Sequence, residues 1–235
     1  MGIKEFYEKM YAGDHAGQKR PELISRVASR LLAGFMVGRY DLAYRALPGG
    51  GAVLDIGCGE DLTIMPLKKK YREIWGIDIS QPRIDRMQQQ FGNDPGIHLF
   101  VGNVNEKLNL KDAFFDAVIS LAVMEHVFDP YHLVNESYRL LKPGGVLIVN
   151  VPNVAWLGNR LRLLAGRLPV TSCAEGWDCG HLHYFTAGSL KKLFREAGFQ
   201  SIKMAYGGPS RRFWGSLLSV EMLITGIKPG SDSHG

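Results

Sequence analysis

The sequence predicts a doubly wound α/β fold, a mostly parallel sheet of about seven strands with helices on both faces, and three observations carry that expectation. Short apolar β-forming runs alternate with helical patterns from residue 53 to residue 151, and such alternation returns each strand to one sheet through right-handed crossovers. The run Val53-Leu54-Asp55-Ile56-Gly57-Cys58-Gly59 ends an apolar strand on two glycines, the mark of a tight turn that some other group approaches closely. Leu140-Leu141-Lys142-Pro143-Gly144-Gly145 stops a helix and turns into Val146–Val151, apolar but for Asn150, the pattern of a central parallel strand buried on both faces.

Each element follows from its own pattern. Ile3, Phe6, Tyr7, Met10 and Tyr11 recur at helical spacing, as do Leu23, Ile24, Val27, Leu31 and Leu32 after Pro21, and a third helix is expected over 35–47. Pro48-Gly49-Gly50-Gly51 breaks the pattern and divides an N-terminal helical cap, 1–48, from a sheet core, 49–152. After the first strand a helix is expected over 61–70, starting late or kinked because of Pro66. Strands then follow at 73–79, 97–101, 115–121 and 146–151, with helices at 81–91 and 131–141. Residues 153–185 form an insertion after strand five, expected as a lid. It opens with a basic amphipathic helix over 154–168, in which Leu157, Leu161, Leu164 and Leu168 make one stripe beside Arg160, Arg162 and Arg167; it reads first as a core-packed lid, with a clamp on an anionic substrate and a contact with a membrane surface as its other readings. The remainder, 186–230, supplies a helix capped by Thr186 and stopped at Gly198, then strands at 201–206 and 220–227. The whole is expected as one domain, 1–235.

Composition narrows the class without choosing a function. At 235 residues and 46% hydrophobic the chain can build one substantial core and is short for two. A formal net charge of +5 suits an anionic ligand, an acidic membrane surface or nucleic acid and requires none of them. Arg211-Arg212-Phe213-Trp214 is a basic-aromatic patch too small to argue for nucleic acid, and none is expected. Cys58, Cys173 and Cys179 are odd in number and no apolar leader precedes them, so reduced thiols in the cytoplasm are expected. No run reaches the roughly 18 uninterrupted apolar residues of a membrane span, which leaves a soluble protein with at most a peripheral contact at the inner membrane surface. The oligomeric state is not legible.

In an open parallel sheet a ligand binds beyond the carboxyl ends of the strands. Four such ends carry polar or glycine residues here: Asp55–Gly59, Asp78, Asn103 and Ser120–His126. Asp78 lies about twenty residues past the glycine turn, the separation at which an acid accepts hydrogen bonds from both hydroxyls of a ribose. An ordinary turn acid has the same appearance. Asn103 offers a donor and an acceptor to a base edge, or equally to its own loop.

With these residues in place the chain resembles the class I S-adenosylmethionine-dependent methyltransferases, a Rossmann-like family. The segments that carry the likeness are Val53–Gly59, Gly76-Ile77-Asp78-Ile79-Ser80, Phe115-Asp116-Ala117-Val118-Ile119-Ser120, Met124-Glu125-His126-Val127 and Leu140–Gly145, in the expected order over residues 50–152. The likeness implies S-adenosyl-L-methionine as cofactor. Gly57, Cys58 and Gly59 would meet its methionine part through their backbone, with Asp55 beside them. Asp78 and Ile79 would hold the ribose, Asn103 and Val104 would lie against the adenine, and Ser120 and Leu121 would frame the site. Tyr7 and Tyr11 would belong to a closing lid, or simply pack the cap. The family pattern has a third glycine where this chain has Asp61, which either narrows the pocket or caps the next helix. An Asp is commoner at the position of Asn103.

Residues 151–156 and 180–186 sharpen the likeness toward methyltransferases of glycan, lipid-linked and quinone biosynthesis, and toward a methionine-pathway protein that accompanies homoserine acyltransferase. The expectation is therefore O-methylation of a small-molecule or lipid- or sugar-carrier-linked acceptor; a non-catalytic partner subunit that binds the cofactor is the alternative. His126, His181 and His183 are the candidate bases or orienting groups, each with a structural role as its competing reading. Glu125-His126 resembles the start of a metal site in ubiquinone-type and small-RNA methyltransferases, but Ala122 stands where a further acid would be, so no catalytic metal is expected. Cys173, Cys179, His181 and His183 lack the compact pair spacing of a zinc site.

Overall fold

The computed structural model describes residues 38–59, 62–171, 180–207 and 214–230. Among them, β1 (Gly50–Ile56), β2 (Tyr71–Asp78), β3 (Ile97–Val101), β4 (Phe115–Leu121), β5 (Leu141–Pro152), β6 (Gln200–Tyr206) and β7 (Glu221–Ile227) form one sheet in the order β3-β2-β1-β4-β5-β7-β6. The β1–β2, β2–β3, β1–β4 and β4–β5 pairs are parallel, whereas β7 runs antiparallel to both β5 and β6. The strand order reverses between β1 and β4, so the crevice expected of a doubly wound sheet opens at their carboxyl ends.

Alternate residues of the central strands serve two cores, which is why these strands read as mostly apolar runs. On one face Leu54, Ile56, Val118, Leu147 and Val149 pack under α4 (Pro130–Leu140) and α6 (Ala187–Glu196), through Leu133, Val134, Leu190 and Phe194. On the other face Val53, Ala117, Ile119 and Ile148 meet α1 (Arg39–Ala46), α2 (Ile64–Lys68) and α3 (Gln81–Phe91), through Leu42, Ile64 and Met87. Local chemistry fixes the helix ends. Asp129 caps α4 by accepting from the N–H groups of Tyr131 at 2.9 Å and His132 at 3.1 Å. Thr186 and Ser189 form a reciprocal capping box on α6, and Gly198 follows its end at φ +91°.

Three expectations change. First, α2 spans only Ile64–Lys68 rather than 61–70, with Pro66 inside it. Second, the Lys142–Gly145 turn lies within β5 and does not precede it: Phe115 pairs with Leu141 and Ala117 with Val146, so the segment bulges while the strand continues through Gly144 at φ +82°. Third, the basic helix covers only Leu157–Leu164, here α5, and its stripe does not pack on the core. Asn159 is its one buried residue, while Leu161 and Leu164 are 56% and 83% exposed. The helices expected within 1–37, with Tyr7 and Tyr11, lie outside the described residues, as do Asp61, Cys173, Cys179 and Arg211–Phe213.

Candidate active site

A cavity of about 420 Å³ opens at the carboxyl ends of β1, β2 and β4, within the roughly 300–1,000 Å³ usual for small-molecule sites. Asp55, Gly57, Asp78, Ile79, Asn103, Val104, Leu121 and His126 line it. Arg39, Thr63, Arg83, Asn105 and Val123 line it as well, and sequence reasoning did not single them out. Arg83 sits in the first turn of α3, five residues past Asp78; nothing in its residue type distinguishes it from the neighbouring solvated arginine, Arg86.

The glycine turn is held by the protein itself. Gly57 has φ +79°, and a Cβ there would lie 2.2 Å from Val123 Cγ2. A Cβ on Gly59 would lie 2.4 Å from Asp78 Oδ2 and from Arg83 Cδ. The close approach that the sequence demanded is therefore made, at least in part, by side chains. The donors of the turn are also committed: Gly57 and Cys58 both direct their N–H groups to the Ile77 carbonyl, at 2.7 and 3.1 Å, and Gly59 donates to Asp78 Oδ2 at 3.1 Å. What the turn can present to a ligand is carbonyl oxygen, a match for an ammonium group rather than a phosphate.

Two acids face the cavity. Asp78 is buried, accepts from Ser80 N–H at 2.9 Å through its other oxygen, and has the Arg83 guanidinium 3.7 Å away. Asp55 is buried behind it and accepts from Thr63 Oγ1. Burial pushes the Asp55 carboxyl up to about 7, Thr63 opposes that, and the nearby Asp78 charge adds to it.

Other expected residues fall elsewhere. Cys58 is buried, with its sulfur against Gly76 on the sheet side, and burial raises its thiol far above the ordinary range. The Asn103 amide serves its own loop: Nδ2 donates to Glu106 at 2.7 Å, and Oδ1 accepts from Asn105 N and Nδ2 at 3.1 and 2.9 Å. Ser120 is fully buried beneath the floor, its hydroxyl without a hydrogen-bond partner among the described residues.

His126 lines the cavity and meets His181, which does not itself line it. The His126 and His181 rings stand edge to face with centroids 4.7 Å apart. His126 Nδ1 lies 3.3 Å from the Gly180 carbonyl, and His181 Nδ1 lies 2.6 Å from Thr171 Oγ1. The Glu125 carbonyl accepts from Leu182 and His183 N–H at 2.8 and 3.1 Å, so the backbone after β4 sets the position of the insertion. His183 turns instead to the Phe128 carbonyl at 3.1 Å and is not brought to the cavity wall. Burial pushes the Glu125 carboxyl up to about 8, and its Oε2 has no partner among the described residues. Glu125, His126 and His181 hold ligand-type atoms within 4.8 Å of one another.

The comparisons with known proteins show the family. The family described as "Methyltransferase domain" matches residues 20–203. The chain belongs to that family. It carries a methyltransferase domain of the class I, S-adenosylmethionine-dependent kind. The methyltransferase is 30% identical over 166 residues to a protein of Mycolicibacterium smegmatis named a probable S-adenosylmethionine-dependent methyltransferase, a match over 69% of this chain and 58% of that one. It is 33% identical over 118 residues to a ubiquinone biosynthesis O-methyltransferase of Xylella fastidiosa, 49% of this chain and 48% of that one. The chain spans about half the length of the curated relatives it matches. Among solved structures, a Thermotoga maritima S-adenosylmethionine-dependent methyltransferase superposes with a TM-score of 0.63 at 23% identity, over 87% of this chain and 95% of that one. Phosphoethanolamine N-methyltransferase 2 of Haemonchus contortus, in complex with S-adenosylmethionine, gives 0.61 at 15%, over 80% and 52%. These likenesses show the fold. The donor set suits the cofactor: its sulfonium and ammonium groups are cationic, and two acids, Asp55 and Asp78, line the cavity beside Gly57. Among the described residues no helix is long and apolar enough to cross a membrane.

Proposed function

We propose that the methyltransferase alkylates an oxygen nucleophile on a small-molecule or lipid- or sugar-carrier-linked acceptor, with His126 and His181 handling the acceptor's proton. The observation that carries this reading is the edge-to-face imidazole pair in which His126, a residue of the cavity wall, meets His181. Relatives named ubiquinone biosynthesis O-methyltransferases support the choice of oxygen.

Bound S-adenosylmethionine supplies a methyl group activated by a positively charged sulfur. Asp78 would hold the ribose hydroxyls, with Arg83 fixing its carboxylate; Asp55 and the carbonyls of Gly57, Cys58 and Gly59 would receive the cationic methionine end. Ile79, Asn103 and Val104 wall the adenine end, Asn103 through its ordered loop, while Ser120 and Leu121 support the floor. A hydroxyl nucleophile gains reactivity as its proton is accepted, and a positioned imidazole contributes about 10²–10⁴-fold at such a step. With its Nδ1 proton directed to the Gly180 carbonyl, His126 presents Nε2 as the basic nitrogen. The Thr171 hydroxyl, 2.6 Å from Nδ1, orients the His181 ring. The aligned pair does the rest by positioning.

The test uses labelled S-adenosylmethionine and a panel of phenol, sugar-hydroxyl, amine and carboxylate acceptors. Once a turned-over acceptor is found, His126→Ala and His181→Ala should each lower kcat by about 10²-fold or more with cofactor affinity unchanged. Unaltered kcat in both variants, or turnover confined to amines, would overturn the proposal. A protein that binds the cofactor and methylates nothing would be the accessory subunit instead.

A further inference from the structure

The helix α5 is amphipathic in the wrong sense for a part of the core. Leu157, Leu161 and Leu164 fall within about 60° of one another on a helix of 100° per residue, and Asn159 falls opposite them. A core-facing helix would bury the leucines. Here Asn159 is the fully buried residue, and its Oδ1 accepts the Val170 N–H at 3.0 Å, pinning the arm that follows back onto the helix. The leucines are left in solvent, together with Leu163, Leu168 and Val170. Scattered exposed leucines need no explanation, but six apolar side chains within fourteen consecutive positions make a patch that does.

The charges around the patch say what covers it. Residues 154–171 contain Arg160, Arg162 and Arg167 and no acid, on a chain with a net charge of +5. Exposed leucines beside arginines, in a segment without an acid, fit a surface that is apolar beneath and uniformly anionic above, which describes a bilayer containing acidic lipids. Arginines can reach headgroup phosphates while the leucines enter the acyl boundary.

We infer that α5 and the arm to Val170 dock the methyltransferase on an anionic lipid bilayer. The arm continues directly to Thr171, whose hydroxyl holds His181 beside His126. Docking thus places the acceptor side of the cavity at the membrane, where a lipid-linked acceptor resides. This last point rests on the proposed function, whereas the docking itself does not.

Flotation of the full chain with vesicles tests it. The protein should float with vesicles of phosphatidylcholine and phosphatidylglycerol in roughly equal parts, weakly with phosphatidylcholine alone, and less in high salt. Arg160→Ala with Arg162→Ala should weaken partition about 25-fold, about fivefold for each arginine. Leu161→Asp with Leu164→Asp should abolish it; both leucines are exposed, and S-adenosylmethionine affinity, read by calorimetry, should be unchanged in every variant. Failure of the wild type to float with acidic vesicles would overturn docking even if the cofactor binds and turns over. So would a concentration-dependent dimer that the leucine variant dissociates while vesicle binding is nil, since a second copy would then be the cover. Vesicle binding with no methyl transfer to any oxygen acceptor would keep the docking and sink the proposed function alone.

Discussion

Replacing Asp55 with Asn should remove a pH dependence that this one carboxyl builds into the protein. Burial, opposed by Thr63 and reinforced by Asp78, lifts Asp55 from 3.8 to about 7. Between those values the folded protein holds a proton that the unfolded chain has lost. Stability from this group is therefore full below about pH 4 and is lost as pH rises through about 7. At about 1.4 kcal/mol for each unit, the loss is on the order of 4 kcal/mol. Asn keeps the shape and can still accept from Thr63, but it does not titrate. Urea denaturation of both proteins from pH 5 to 8 gives the difference, in which other titrating groups cancel: Asp55→Asn should gain on the wild type as pH rises and level off above about 7. Cofactor affinity should run the opposite way. A cationic ligand favours the ionised acid, so wild-type affinity should rise by up to about tenfold per pH unit below 7, and the variant should be flat. A stability difference that is constant or falls with pH would refute the assignment.

Three other outcomes follow from single contacts. Gly57→Ala meets Val123 Cγ2 and a φ of +79°, so it should cost about 1–2 kcal/mol of backbone strain and about 1–3 kcal/mol of overpacking; adding Val123→Ala should restore only the second part in a denaturation series. Arg139→Ala should cost about 3 kcal/mol in the same assay, because Arg139 pairs with the buried Glu136 at 2.6 Å and donates to the Leu108 and Leu110 carbonyls at 3.0 Å each. Prolonged dialysis against a chelator should leave turnover intact, because the pair His126 and His181 acts as imidazole; activity lost to the chelator and regained with a divalent cation would assign Glu125, His126 and His181 to a metal instead.

The sheet was legible because its strands are buried on both faces: β1, β4 and the latter part of β5 announce themselves by predominantly apolar runs, and six of the seven expected strand starts fall within about three residues of those observed. The exception, the start of β5, was hidden because Pro143-Gly144-Gly145 reads as a turn whether it precedes a strand or bulges out of one. The α5 stripe was visible as periodicity, but periodicity does not say which face meets the core; only the burial of Asn159 does. At the site, Asp55, Asp78 and His126 could be found from their places at strand ends. Arg83, Thr63 and Val123 could not, since each acts through a tertiary approach to Asp78, Asp55 or Gly57. His181 was read from its motif, but its approach to His126 across more than fifty residues depends on the Glu125 carbonyl holding the insertion.

The account stands most directly on Asp78. Titration calorimetry of S-adenosylmethionine into the wild type and Asp78→Ala, with circular dichroism to verify the fold, should show one site in the wild type and affinity weaker by about 10²-fold in the variant, the scale of two lost hydrogen bonds to a charged group. Equal affinity in the two proteins, or no binding of the cofactor to the wild type, would contradict it.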